Sequence, residues 1–166
     1  MNAVIEQAGV EDAQEILDLQ KLAYQREAAI YGEYEIPPLI QTLNEIRDDF
    51  QNQVFLKAAI DGRIIGSVRG HIRQRTCYVG RLIVHPEFQN QGIGTRLLME
   101  IERTFRQAER FELFTGHRSE RNLYLYHKVR LPAIKERASH RFPDHRVPGK
   151  GHLAGISSSF PGGRIR

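Results

Sequence analysis

Six consecutive residues, Gln89-Asn90-Gln91-Gly92-Ile93-Gly94, put three amide side chains and two glycines between an apolar run, Leu82-Ile83-Val84, and a helical pattern marked by Leu97, Leu98 and Ile101. A strand that enters a helix through a glycine turn is a ready anion site. The first N–H groups of a helix have no intrahelical acceptor, and the helix dipole adds partial positive charge there. Gly92 and Gly94 carry no Cβ, so an anion can approach the backbone. Gln89 and Gln91 can add side-chain donors. The natural guest is a phosphate or pyrophosphate. A P-loop is disfavoured, because Gly94 is followed by Thr95-Arg96 rather than Lys and Ser or Thr. A dinucleotide fingerprint is disfavoured too, because no third glycine follows.

Other residues could move protons. Glu27, Glu33 and Glu35 cluster around an N-terminal helix and its loop, and His71 and His117 fall near strand-like runs. Glu27 ranks first as a general base, since it ends an amphipathic helix beside that loop. A solvated surface role competes at each of these positions. His85, His117 and His127 show no ligand spacing with other His, Cys or carboxylate residues, so no metal site is expected. Cys77, the sole cysteine, reads as a buried strand residue rather than a nucleophile.

These residues need elements to hold them. Val4 to Glu6 reads as a short edge strand. Ala13, Ile16, Leu17, Leu19, Ala23 and Tyr24 give a helical period over about 11–28. Pro37 and Pro38 should break any helix in the loop that follows, and a second helix is expected over 39–50. Two strand-like runs, 53–60 and 63–72, flank Asp61-Gly62, a type I′ hairpin signal because glycine tolerates positive φ. A strand over 77–84, the glycine turn, a helix over about 92–107 and a strand over 111–115 come next. Ser119 and Glu120 signal a helix start, with the helix running to about Lys128. A strand over 131–136 closes the pattern, limited to an edge or a strand start by Pro132. The order predicts a mixed, mostly antiparallel α/β sheet with one crossover at its centre.

Composition agrees with one domain: 166 residues, 40% hydrophobic and 27% charged. The N-terminus lacks a basic region followed by an apolar core, and no apolar run suits a membrane span, so a cytoplasmic protein is expected. The net charge of +4 is uneven: residues 130–166 hold 8 Lys and Arg against 2 Asp and Glu, and the rest hold 16 against 18. A basic arm for nucleic acid is a weak reading, since neither a dense cationic run nor interleaved aromatics is present.

The glycine turn and its flanks resemble motif A of the GNAT acetyltransferase superfamily, Gln/Arg-x-x-Gly-x-Gly/Ala after a strand ending Val-x-Pro, met here by Val84-His85-Pro86 and residues 89–94. The resemblance spans about residues 2–138. It implies the GNAT fold and acetyl-CoA as co-substrate. It places the pyrophosphate on Gln89, Asn90, Gln91, Gly92, Ile93, Gly94 and Thr95, and pairs the backbone of Leu82, Ile83 and Val84 with the pantetheine arm. Ser119 to Lys128 resembles the family's motif B helix. By that likeness Asn122 contacts the pantetheine arm and Tyr126 lies near the coenzyme sulfur. A phenol with pKa about 10 is protonated at neutral pH and can donate to a leaving thiolate whose thiol titrates at about 8.5. Tyr124 is a rival, but it points about 160° away around the helix.

The implied activity is direct transfer of an acetyl group to the primary amine of a small molecule or peptide. A non-catalytic acyl-CoA binding or sensing module is the alternative. Mixed charge near Arg26, Glu27, Glu33 and Glu35 weakly suits a cationic amine. The chain could act as a homodimer. Two departures stand out: Arg130 and Leu131 replace the family's glycine and aromatic after motif B, and the proline- and glycine-broken stretch 139–166 replaces a closing strand. It is expected to be a poorly ordered basic tail beyond a domain of residues 1–138.

Overall fold

A computed structural model describes residues 2–113, and of residues 134–136 the backbone. The chain runs β1 (Val4–Gln7), α1 (Ala13–Tyr31), α2 (Pro37–Ile40), α3 (Leu43–Asn52), β2 (Val54–Ile60), β3 (Arg63–Arg73), β4 (Thr76–Val84), α4 (Ile93–Thr104), β5 (Arg110–Leu113) and β6 (Ile134–Glu136). The six strands form one sheet in sequence order. Its first four are antiparallel neighbours, whereas β5 joins β4, and β6 joins β5, in parallel. The mixed, mostly antiparallel sheet expected from the sequence is present.

Local chemistry explains the turns. Asp61 and Gly62 both take positive φ, 49° and 80°, as a type I′ hairpin requires. The expectation for the prolines fails. Pro37 and Pro38 open α2 instead of forbidding a helix, because the first turn needs no N–H donors and the fixed φ suits it. The single helix expected over 39–50 is two: α2 stops, and Thr42 then caps α3. The Thr42 hydroxyl accepts from the Glu45 N–H while the Glu45 carboxylate accepts from the Thr42 N–H at 2.8 Å.

Each sheet face has its own core. On one side α4 lays Leu97, Leu98 and Ile101 against Ile65, Val68, Cys77, Val79 and Leu82. On the other, α1 and α3 pack Ile16, Leu17, Leu19, Tyr24 and Ile46 against Phe55, Ile64 and Ile83. Gly66 and Gly70 let α4 come close: a Cβ on Gly66 would stand 3.1 Å from Leu97 Cδ1.

Candidate functional site

The site begins where β4 departs from regular pairing. Against β3, Ser67 faces Ile83 but Arg69 faces Gly80, so β4 holds one extra residue in that interval. Arg81 sits in that bulge with φ 52°, unusual for a side chain with a Cβ. On its other side β4 pairs with β5 from Thr76 to Val79. The bulge therefore kinks the strand just before the glycine turn.

The turn itself is braced from within. The Gln89 side-chain amide donates to the Val84 carbonyl at 3.0 Å, and that of Gln91 donates to the Glu87 carbonyl at 3.1 Å. Both glutamines, expected as donors to a guest, thus use an amide N–H to hold the loop. Asn90 takes φ 63° and Gly92 takes φ 79°. Gly92 is the N-cap of α4 and brings no side-chain cap, so nothing from the cap residue covers the N–H groups of Ile93, Gly94 and Thr95. A Cβ on Gly92 would meet nothing within 4 Å. Ile93 and Gly94 are buried and anchor the first turn, and Thr95 is half-buried. A helix start whose cap residue brings no side chain fits a phosphate group.

His85, just ahead of the turn, is structural. Arg63 Nη2 lies 3.0 Å from its Nε2. Among the described residues no group of three His, Cys, Asp or Glu side chains could hold a metal.

On the α1 face, below the kink, lies a charged cluster that sequence reasoning did not assemble. Arg69, 8% exposed, donates to Asp49 Oδ2 at 2.8 Å and lies over the Phe55 ring at 5.4 Å. Burial, then the nearby Arg81 charge, lowers its pKa to about 10. The Arg81 guanidinium stands 6.0 Å from the centroid of the Tyr24 ring and hydrogen-bonds its phenol. Burial raises the Tyr24 pKa. Glu27, one turn along α1 from Tyr24, is half-buried, and desolvation raises its pKa above the ordinary carboxylate value. The one available sequence signal was an arginine inside an otherwise buried strand, β3.

The remaining sequence candidates separate. Glu33 and Glu35 are exposed. His71 stacks on Tyr78 at 5.3 Å on the same face as Arg69. Cys77 is buried in the α4-side core, and burial pushes its thiol up to about 12. Asn122, Tyr126, Tyr124 and His117, the helix expected over 119–128 and the tail 139–166 lie outside the described residues.

Comparison with known proteins decides the family. A family model described as "Acetyltransferase (GNAT) family" matches residues 13–130. The chain belongs to the GNAT acetyltransferase family. Its fold is similar to an N-acetyltransferase, PaiA, of Thermoplasma acidophilum solved in complex with coenzyme A, with TM-score 0.67 and 19% identity over 77% of this chain and 88% of that one. It is also similar to an aminoglycoside acetyltransferase from an uncultured soil metagenomic sample in complex with sisomicin, with TM-score 0.64 and 17% identity over 84% and 94%. A Bacillus subtilis protein, UPF0157 protein YqkA, is 30% identical over 114 residues, 69% of this chain. The chain spans about a third of that relative's length, 33%. Among the described residues no helix is long and apolar enough to cross a membrane.

Proposed function

We propose that this GNAT protein transfers an acetyl group from acetyl-CoA directly to a primary amine. The observation that carries the reading is the glycine start of α4, whose cap residue brings no side chain, placed directly after a strand kinked by a one-residue bulge. Family membership and the coenzyme A complex of a similar fold support it.

Acetyl-CoA would supply an activated thioester. The chain's part is to hold and to move protons. The N–H groups of Ile93, Gly94 and Thr95 would take the pyrophosphate, with Gln89, Asn90, Gln91 and Gly92 shaping the loop. The backbone of Leu82, Ile83 and Val84 would align the pantetheine arm, aided by Asn122. A backbone N–H near the end of that strand would stabilise charge growing on the carbonyl oxygen. Glu27 would take the proton from the acceptor ammonium, a task that its raised pKa suits. The amine nitrogen then bonds to the carbonyl carbon, the carbon–sulfur bond breaks, and Tyr126 would protonate the departing sulfur. Cys77, buried and hard to ionise, suits no acyl-enzyme step.

Calorimetric titration of acetyl-CoA into the full-length chain tests this reading. Micromolar binding, weakened at least tenfold by Gly94→Arg, supports the phosphate turn; no binding by a folded chain overturns it. Coenzyme release with an amine panel then tests catalysis, and Tyr126→Phe should slow it by about 10²-fold if the phenol is the acid. Tight binding with no release across the panel would instead mark a non-catalytic coenzyme module.

A further inference from the structure

The segment after α1 returns along the helix it has just left. Gly32 closes α1 in the left-handed conformation, φ 69°, and its N–H donates to the Ala28 carbonyl at 2.7 Å, so the chain reverses there. By Pro38 the chain is back beside Gln20, whose side-chain amide donates to the Pro38 carbonyl at 2.9 Å. Gln20 and Tyr31 lie about 17 Å apart along the helix axis, and the extended backbone of residues 32–38 reaches at most about 23 Å. These residues therefore run almost straight back beside α1, as a strap. The strap ends over a stripe of Gln20, Tyr24 and Glu27, whose spacings of four and three put them on one helix face. On its way it crosses the turn that carries Glu27. Ile36 and Leu39 pack into the α1-side core, and Pro38 is buried.

A run of hydrogen bonds ties the far end of the strap to the sheet. Gln20, 1% exposed, donates from Nε2 to the Gln41 side-chain oxygen at 2.9 Å as well as to Pro38. Gln41 Nε2 donates to Asp49 Oδ2 at 2.7 Å, and Arg69 Nη1 donates to the same oxygen at 2.8 Å. The run joins α1, α2, α3 and β3. Its direction is fixed by one group. Asp49, ion-paired with Arg69, offers acceptors alone, so Gln41 must turn its amide N–H to Asp49 and its oxygen to Gln20, and Gln20 must donate. A satisfied network of this kind is rigid and specifies one arrangement.

We propose that Gln20 and Gln41 are positioning residues for Glu27: they pin the strap along α1 and so hold the Glu27 carboxylate half-buried beside the acceptor amine. The proposal rests on the acetyl-transfer reading, in which Glu27 takes the proton of that amine. Burial is the cause that raises the Glu27 pKa, which is what a covering strap would do. The ionisable groups around this stripe are Tyr24 on α1, Asp49 on α3, Arg69 on β3 and Arg81 on β4, and the strap itself carries Glu33, Tyr34 and Glu35, all exposed.

The test begins with the natural chain. Its Gln20 side-chain NH2 protons, followed by NMR, should exchange at least about tenfold more slowly than those of the exposed Gln25; equal rates would overturn the proposal. The Glu27 carboxyl is then titrated by carbon-13 NMR without any ligand. The natural midpoint should lie above 4.5, and Gln41→Met should bring it back toward that value. Gln53→Met removes another amide from Asp49, the one 3.4 Å from Oδ1, and leaves the bonds of the strap in place, so the midpoint should stay raised. An ordinary midpoint in the natural chain, a raised one in folded Gln41→Met, or an equal fall in Gln53→Met would overturn the proposal. With an acceptor amine in hand, Gln41→Met should lower kcat about 10- to 100-fold while acetyl-CoA affinity holds, and an unchanged kcat would overturn the positioning role. A misfolded Gln41 variant leaves the exchange measurement standing. If no amine is acetylated, the acetyl-transfer reading fails, and the titration still decides whether the strap holds Glu27.

Discussion

The Arg81 guanidinium lies 6.0 Å from the centre of the Tyr24 ring, which pins the bulge of β4 to α1. Such a contact is worth about 0.5–2 kcal/mol, and its position gives it further consequence. The bulge redirects the strand that precedes the glycine turn, while Tyr24 precedes Glu27 on the helix. One contact thus couples the proposed coenzyme strand to the proposed acceptor wall.

The neighbouring ion pair should be costly to halve. Asp49→Ala leaves Arg69 buried against Phe55 without its carboxylate, and urea unfolding should show a loss of about 3 kcal/mol. The double variant Asp49→Ala, Arg69→Met should recover much of that loss, because no buried charge is then left. A double variant as unstable as the single would show that the pair is held for packing, not charge.

Gly66 is a packing position. A Cβ there would lie 3.1 Å from Leu97 Cδ1, 3.2 Å from the Ile83 carbonyl and 3.2 Å from Ile93 Cγ2. Gly66→Ala should cost about 1–3 kcal/mol. It should also weaken acetyl-CoA binding, since Ile83 and Ile93 flank the turn. An unchanged urea midpoint would mean that α4 shifts outward freely.

Glu27 should trade stability for function. Its folded pKa is raised above 4.5 by burial, so folding favours the protonated acid. That contribution is complete below pH 4.5 and is lost as pH rises through the folded value. Glu27→Gln resembles the protonated acid at every pH. The variant should match the natural chain in thermal midpoint at acid pH and exceed it at neutral pH, while losing turnover. A gap of the opposite sign at neutral pH would mean that the ionised carboxylate is stabilised in the fold.

Cys77 should be dispensable for turnover. Its thiol titrates at about 12 and is buried beside α4. The folded chain should resist alkylation at neutral pH. Cys77→Ala should cost about 1 kcal/mol, the order of a small buried group, with coenzyme release unchanged. Activity lost in a folded variant would revive an acyl-cysteine step.

Much of the framework was legible because it depends on neighbours in sequence. The Asp61-Gly62 hairpin, the strand over 77–84, the glycine turn and the Leu97, Leu98, Ile101 stripe are local signals, and each element formed. The prolines at 37 and 38 misled for a related reason. Their effect depends on whether they fall inside a helix or at its first turn, and here they start one. The roles of Gln89 and Gln91 were readable only as donors, because which carbonyl lies within 3.1 Å depends on how the loop closes.

By itself, the sequence determined the family likeness and the place of the glycine turn between strand and helix, since six adjacent residues and a helix period carry both. The tertiary structure alone decided the charged face. Asp49, Arg69 and Arg81 come from a helix and two strands, and Tyr24 from another helix. Their meeting depends on the strand register, on the one-residue bulge at Arg81 and on helices laid across the sheet. No local pattern encodes a bulge that places an arginine over a tyrosine 57 positions earlier, because that contact is set by packing across elements rather than by the chain's own spacing.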